Sequence, residues 1–270
     1  MPGDESPPVL RHRDGGVLVL TLHRPERHNA WTYDMEDLYF AYLAEAAADP
    51  AVRVVVLTGS GRTFCPGLDT ERLQAAAAGH HTDPATRKRH TFATLVPKPL
   101  IAAVNGGCAG IGLIQACCCD VRFAARGARF TTAFARRGLP AENALSWLLP
   151  RLIGHGAALD LLLSGRTFAA EEAKELGLVN VLTEPDDLMA TVMAYARDLA
   201  VHCSPLSMAT IKQQVYRDLE SGFEASRRDS LDALRELRRE PDFLEGVTSY
   251  IEHREPDFPP LSVTLEIPPA

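Results

Sequence analysis

The sequence predicts an α/β fold: a right-handed βαβ core followed by an α-helical C-terminal part. Three observations carry this. Val52–Thr58, rich in β-branched residues and apolar through Val54–Leu57, and Leu100–Val104, apolar throughout, are runs of strand length, the kind that is buried on both faces of a parallel sheet. Strand-like and helix-like periods alternate through the first two-thirds of the chain. From Asp186 onward the pattern is purely helical, broken at Ser204-Pro205 and ended by Pro256.

Taken in order, Val17–His23 alternates as a strand and stops at Arg24-Pro25. Thr32 is placed to cap a helix whose apolar positions include Met35, Leu38, Tyr39, Tyr42 and Leu43, and that helix ends near Asp49-Pro50. Gly59-Ser60-Gly61 turns the chain after the first buried strand. A polar helical stretch follows Asp69, and the segment Ala75–Pro84, with Gly79, His80 and His81, looks loose. Leu100–Cys119 carries no formal charge and is long enough to suggest a membrane span, but Asn105, Gln115 and four glycines interrupt it. It reads as a buried strand, a glycine turn and a buried helix opening at Gly110. Val121–Ala125 is a strand and Phe130 begins a short extended piece. Three helices run to about Leu176, and Leu178–Leu182 is a last short strand. The division expected is a core over residues 1–200 and a helical region over 201–270.

The chain has 270 residues, 46% of them hydrophobic and 23% charged, a composition that folds rather than stays disordered. Its formal net charge of -7 gives no bulk attraction to nucleic acid or an anionic membrane. Any site for a phosphorylated ligand is therefore local. The six cysteines include the consecutive trio Cys117, Cys118 and Cys119 and form no CxxC pair. Consecutive helical side chains diverge by about 100°, so the trio does not converge on one metal. Core packing in a reducing cytoplasm is the expectation, with no metal site.

Two glycine turns follow buried strands. Phe64-Cys65-Pro66-Gly67-Leu68-Asp69 precedes a helix, and Asn105-Gly106-Gly107-Cys108-Ala109-Gly110-Ile111-Gly112 precedes another. The second lacks the third glycine of a dinucleotide fingerprint and the lysine of a phosphate loop. Free N–H groups at two such turns can face one ligand oxygen and form a two-donor oxyanion pocket. Read alone, each is equally a tight strand-to-helix turn. Thr58-Gly59-Ser60-Gly61-Arg62 lacks the leading glycine of a serine-hydrolase elbow.

In order along the chain, several segments resemble the crotonase (enoyl-CoA hydratase/isomerase) superfamily. They are Arg24-Pro25-Glu26-Arg27-His28-Asn29-Ala30, the Phe64–Asp69 turn, Lys98–Gly106 with the glycines after it, Leu149–Gly154, Leu163–Arg166, Ala170–Asn180 and Phe243–Phe258. The resemblance implies a crotonase-like spiral of βαβ units with a helical C-terminal trimerisation region, assembled as a homotrimer or dimer of trimers. It implies an acyl-CoA substrate with coenzyme A across the first two motifs, bringing in Arg27, His28, Ala30, Gly67 and Asp69. Coenzyme A enters as part of the substrate, and no prosthetic group is expected. By position the oxyanion donors are the backbone N–H groups of Leu68 and Ile111. Ile111 replaces a usual glycine, which a negative φ tolerates and a positive φ does not.

The family's two hydratase glutamates fall at Ile114 and Phe134, and neither residue handles a proton. One carboxylate remains nearby: Glu142 resembles, in placement, the catalytic aspartate of dienoyl-CoA isomerases and 4-chlorobenzoyl-CoA dehalogenases. A positioned acid or base is worth roughly 10²–10⁴ in rate. One carboxylate suits a 1,3-proton shift better than hydration, although hydratase is the family label. Glu142 also fits an acid near a helix N-cap, and Asp69 a helix cap. Asp120 reads as structural, His80, His81 and His90 as a solvated face of the polar stretch that by the resemblance borders the acyl pocket, and Arg87-Lys88-Arg89 as a solvated charge run. Trp147 and Phe134 line that pocket or pack in the core, and Arg24, Arg27 and His28 meet phosphates or only water. The competing function is a crotonase homologue that binds acyl-CoA without turnover.

Overall fold

The computed structural model describes residues 6–80 and 87–263. Two sheets run side by side and share the spiral. The six-stranded sheet has the order β1 (Val9–Asp14), β2 (Val17–Leu22), β3 (Val54–Gly59), β5 (Leu100–Val104), β7 (Val121–Ala125), β10 (Val181–Thr183). Within this sheet, among the described residues, only the β1–β2 pair is antiparallel. The four-stranded sheet has the order β4 (Thr63–Cys65), β6 (Gly107–Ala109), β8 (Arg129–Thr131), β9 (Phe168–Ala169). Thus β3, β5 and β7 are each followed at once by a short strand of the second sheet, so every turn of the spiral adds one strand to both.

The apolar strands are buried on both faces, as their composition requires. In β3, Val54 and Val56 face helix α7 (Leu188–His202) through Val192 and Ala196, while Val55 and Leu57 face the main core. Helix α1 (Tyr33–Ala48) starts at Thr32, whose hydroxyl accepts the Met35 N–H. The carbonyls at its other end meet a side chain: the Lys98 ammonium donates to Ala46 O and Asp49 O, each at 2.6 Å. Lys98 is 2% exposed, and burial lowers its pKa to about 8. Lys98→Met leaves those carbonyls without a donor and is expected to lower stability by about 1–3 kcal/mol, read as the shift of the urea midpoint.

Helix α2 (Thr70–Ala77) follows the first glycine turn and α3 (Ile111–Cys118) the second. Gly112 lets α3 lie against β4, where a Cβ would sit 2.3 Å from the Cys65 carbonyl oxygen. Cys117, Cys118 and Cys119 pack in the core, where burial raises all three thiols, Cys117 to about 11 and Cys119 to about 12. Such thiols stay protonated and unreactive. Beyond a short 3-10 turn at Ala135–Arg137 come α4 (Leu145–Ile153), α5 (His155–Ser164) and α6 (Ala170–Glu175).

Several expectations need correction. Strand β1 was not anticipated, nor were β4, β6 and β8 as a separate sheet. The last strand is Val181–Thr183 rather than Leu178–Leu182. The helical C-terminal part breaks three times rather than once, into α7, α8 (Pro205–Asp218), α9 (Phe223–Leu237) and α10 (Pro241–Glu252). Ser204 caps α8 by accepting the Ser207 N–H and donates to the Asp242 carboxylate, which ties α10 to the same corner. Asp120 is structural: its carboxylate accepts the Leu100 N–H and pairs at 2.8 Å with Lys212 of α8. No helix among the described residues is long and apolar enough to cross a membrane.

Candidate active site

Parallel pairing of β4 with β6 (Cys65 opposite Cys108) brings the two glycine turns out at the same end of the small sheet. Gly67 has φ +112° and Gly110 φ +50°, conformations that side-chain-bearing residues adopt only under strain. The turns nearly touch: a Cβ on Gly110 would lie 3.7 Å from the Gly67 Cα. Leu68 forms a bridge with Trp31 in which the Trp31 N–H donates to Gly67 O (2.8 Å) and the Asp69 N–H to Trp31 O (3.0 Å). The Leu68 N–H takes no part in that bridge. Ile111 is the first residue of α3, so its N–H has no acceptor in its own helix. Ile111 is not among the residues of positive φ, and the β-branched side chain is accommodated without strain.

Both turns line a cavity of about 1100 Å³. Another part of its wall is the segment between β8 and α4, which contributes Phe134, Leu139, Glu142 and Asn143. Glu142 is half-buried, burial raises its carboxyl above the usual range, and its side chain has no hydrogen-bond or ion-pair partner among the described residues. The capping alternative is not realised: the N-cap of α4 is Ala144, without a side-chain cap bond, and Glu142 contributes only its backbone carbonyl, to the Leu145 N–H. Asn143 and Ala144 have φ of 50° and 59° in succession. Left-handed alanine costs about 1–2 kcal/mol, so the chain holds strain immediately after the half-buried Glu142.

The other expected residues divide. Gly67 and Phe134 line the cavity; Ile114 is fully buried beside them in the core and does not. Trp147 also lies outside the cavity lining; it packs against the core with the Arg151 guanidinium 4.0 Å above its ring. Asp69 is 5% exposed and caps α2 through the Glu71 N–H, and its carboxylate accepts from Arg24 at 2.9 Å, which holds its pKa below the usual range. Arg24 also donates to Ala30 O, so it is a strut between the first motif and the first glycine turn rather than a solvated cation. Arg27 and His28 are exposed, and neither they nor Ala30 nor Asp69 reach the cavity. His80 lines it; His81 lies outside the described residues.

One group of residues was missed. Glu36, on the buried side of α1 with Phe40 and Leu43, is fully buried and lines the cavity. It accepts from Trp31 Nε1 (3.0 Å), Arg72 (3.3 Å) and Arg87 (2.7 and 2.9 Å), and His90 Nε2 lies 3.5 Å away. Burial favours its protonated form, but these donors and cations outweigh it and hold the carboxyl below its usual pKa. Burial lowers the His90 pKa despite the pull of Glu36, and His90 Nδ1 is buried without a hydrogen-bond partner among the described residues. Arg87 and His90 are therefore not part of a solvated face. A glutamate in the buried stripe of an amphipathic helix was the available signal.

The enoyl-CoA hydratase/isomerase family model matches residues 12–260. The 1,2-epoxyphenylacetyl-CoA isomerase of Escherichia coli K12 is 33% identical over 93% of this chain and 97% of its own. Among solved structures, an enoyl-CoA hydratase from Mycobacterium marinum is 50% identical over 78% of this chain and 98% of its own, with a TM-score of 0.68. One from Polaromonas sp. JS666 is 28% identical over 93% of this chain and 99% of its own, with a TM-score of 0.86.

Proposed function

Because the chain belongs to the enoyl-CoA hydratase/isomerase family, we propose that it moves a proton on an enoyl-CoA thioester with Glu142 as its acid/base group. The observation that carries this is the half-buried, unpartnered Glu142 on the cavity that the two glycine turns also line. The thioester carbonyl oxygen sits between the Leu68 and Ile111 N–H groups, and each such donor contributes about 2.7–4 kcal/mol to stabilising an enolate oxyanion. Glu142 takes a proton from the carbon α to the thioester, or from the γ carbon through the double bond, and returns it at the other position. A raised pKa makes it a stronger base for that step. Ile114 and Phe134, at the hydratase positions, are buried and apolar. They leave no second carboxylate there to activate water, so isomerisation is favoured over hydration.

The purified protein, mixed with 3-enoyl-CoA thioesters of several lengths, is expected to raise the absorbance of the conjugated 2-enoyl thioester. No change on any length, together with tight binding of the same thioesters, would replace this reading with binding without turnover. Phe223, Leu244, Tyr250 and Ile251 on α9 and α10 are each more than two-thirds exposed, too much apolar surface for an isolated chain to carry without purpose. A second and third copy of this chain are the occupants we assign, as a homotrimer or a dimer of trimers. Sedimentation equilibrium is expected to return three or six times 29.4 kDa, and a monomer mass would reject this.

A further inference from the structure

The acyl cavity is not walled like a slot for a plain hydrocarbon chain. Beyond Leu68 its wall presents Arg72 of α2 and Arg87, side chains 16% and 20% exposed, around Tyr33 and Glu36 of α1. The Arg72 guanidinium carbon is 3.6 Å from the centroid of the Tyr33 ring, and that of Arg87 4.5 Å. At 3.6 Å a guanidinium must lie nearly flat on the ring, which directs its N–H bonds sideways, in its own plane. The two cations are not equally satisfied. Arg87 makes two bonds to Glu36 and two to Asp37. Among the described residues Arg72 has only one N–H on an acceptor, at 3.3 Å, and that Glu36 oxygen also serves Trp31. An aliphatic chain laid against Arg72 would strip water from its N–H groups and replace it with nothing. A carboxylate would meet the same edge with two parallel charge-assisted bonds.

We propose that Arg72, held flat on Tyr33, selects an acyl group whose far end is a carboxylate, so that the substrate is the CoA monothioester of a short dicarboxylic acid. This deepens, and rests on, the acyl-CoA reading above. Leu73 and Ala76, on the same helix, line the cavity too and face the methylene part of such a chain.

Calorimetric titration with two freshly prepared, saturated four-carbon thioesters, which offer no double bond to isomerise, tests this without need of turnover. One ends in a methyl group (butyryl-CoA), the other in a carboxylate (succinyl-CoA). The full chain is expected to bind the carboxylate-ended thioester about 10-fold or more tightly, as one charge-assisted pair allows. In Arg72→Met that preference is lost while the affinity for butyryl-CoA changes less than about 3-fold; in Arg72→Lys, which keeps the charge and loses the planar fork, part of the preference remains. Circular dichroism verifies that both variants are folded. Equal affinities in the wild type, or tighter binding of butyryl-CoA, overturn the proposal. So does an equal loss of both ligands in Arg72→Met, which would place Arg72 on the CoA moiety. If neither thioester binds, the acyl-CoA reading falls, and this inference with it.

Discussion

Glu142→Gln is expected to cut the turnover of an enoyl-CoA by roughly 10²–10⁴-fold, the worth of one positioned acid/base group, and to leave KM within a few-fold. The amide keeps the shape of the side chain and its place on the cavity wall, and removes only the capacity to carry a proton. The pH behaviour gives an independent check. Burial raises the Glu142 carboxyl above its ordinary value of 4.5, so the acidic limb of kcat in the wild type is shifted upward from that of an ordinary glutamate and is absent from the residual activity of the variant. Stability moves the other way. Between 4.5 and the raised value, the folded state binds more protons than the unfolded one, so this group's contribution to stability is lost as pH rises through that window. At neutral pH the wild type therefore holds an unfavourably buried charge, and Glu142→Gln is expected to melt at the same temperature or higher. A variant that loses activity and also melts lower would point to a structural acid instead, and one with full activity on a verified substrate would remove Glu142 from the chemistry.

Lys212→Met carries the largest expected stability effect. The Lys212 side chain is 8% exposed, and its ammonium donates to the Asp120 carboxylate at 2.8 Å and to the Lys98 carbonyl at 3.2 Å. The same Asp120 oxygen accepts the Leu100 N–H at 2.7 Å, at the start of β5. Removing the cation leaves Asp120 partly buried without a counter-charge, a change that costs about 3 kcal/mol or more. For a chain of this size that is roughly 6–12 °C in Tm. Asp120→Asn in the same background should recover part of the loss, because a neutral amide needs no counter-ion; a double-mutant cycle with no coupling would deny the pair its role. The bond joins α8 to the core under β5, so the test also reports how firmly the C-terminal helices are anchored.

What was legible in the sequence was local. Thr32 announces α1 because its hydroxyl bonds three residues on, and β3 and β5 announce themselves because strands buried on both faces are almost wholly apolar, Thr58 of β3 satisfying its hydroxyl on Ala103 O. The missed strands lack such signals. β1 exposes Arg11, His12 and Arg13, as a sheet edge that avoids further pairing does. β4 and β6 are three residues each, and Thr63 pairs with Gly107, which lies beyond a helix and another strand. In the site, both glycine turns were readable from composition, and the alternatives at Asp69 and Glu142 were not. Each is an acid just before a helix, and only the bonds separate them: Asp69 caps α2 and holds Arg24, whereas Glu142 does neither. The ion pairs of Glu36 were invisible for another reason. Arg72 and Arg87 look solvated until α2 and residue 87 fold back over α1.

The groups that would polarise the thioester and the group that would move the proton come from different parts of the chain. The first are backbone amides fixed by the pairing of β4 with β6, which a side-chain substitution barely alters. The second is a single residue on the irregular segment leading into α4. Selection could therefore rewrite the reaction by changing a dozen residues there while the enolate-stabilising frame stayed intact, a separation of scaffold from chemistry that lets one fold serve many reactions.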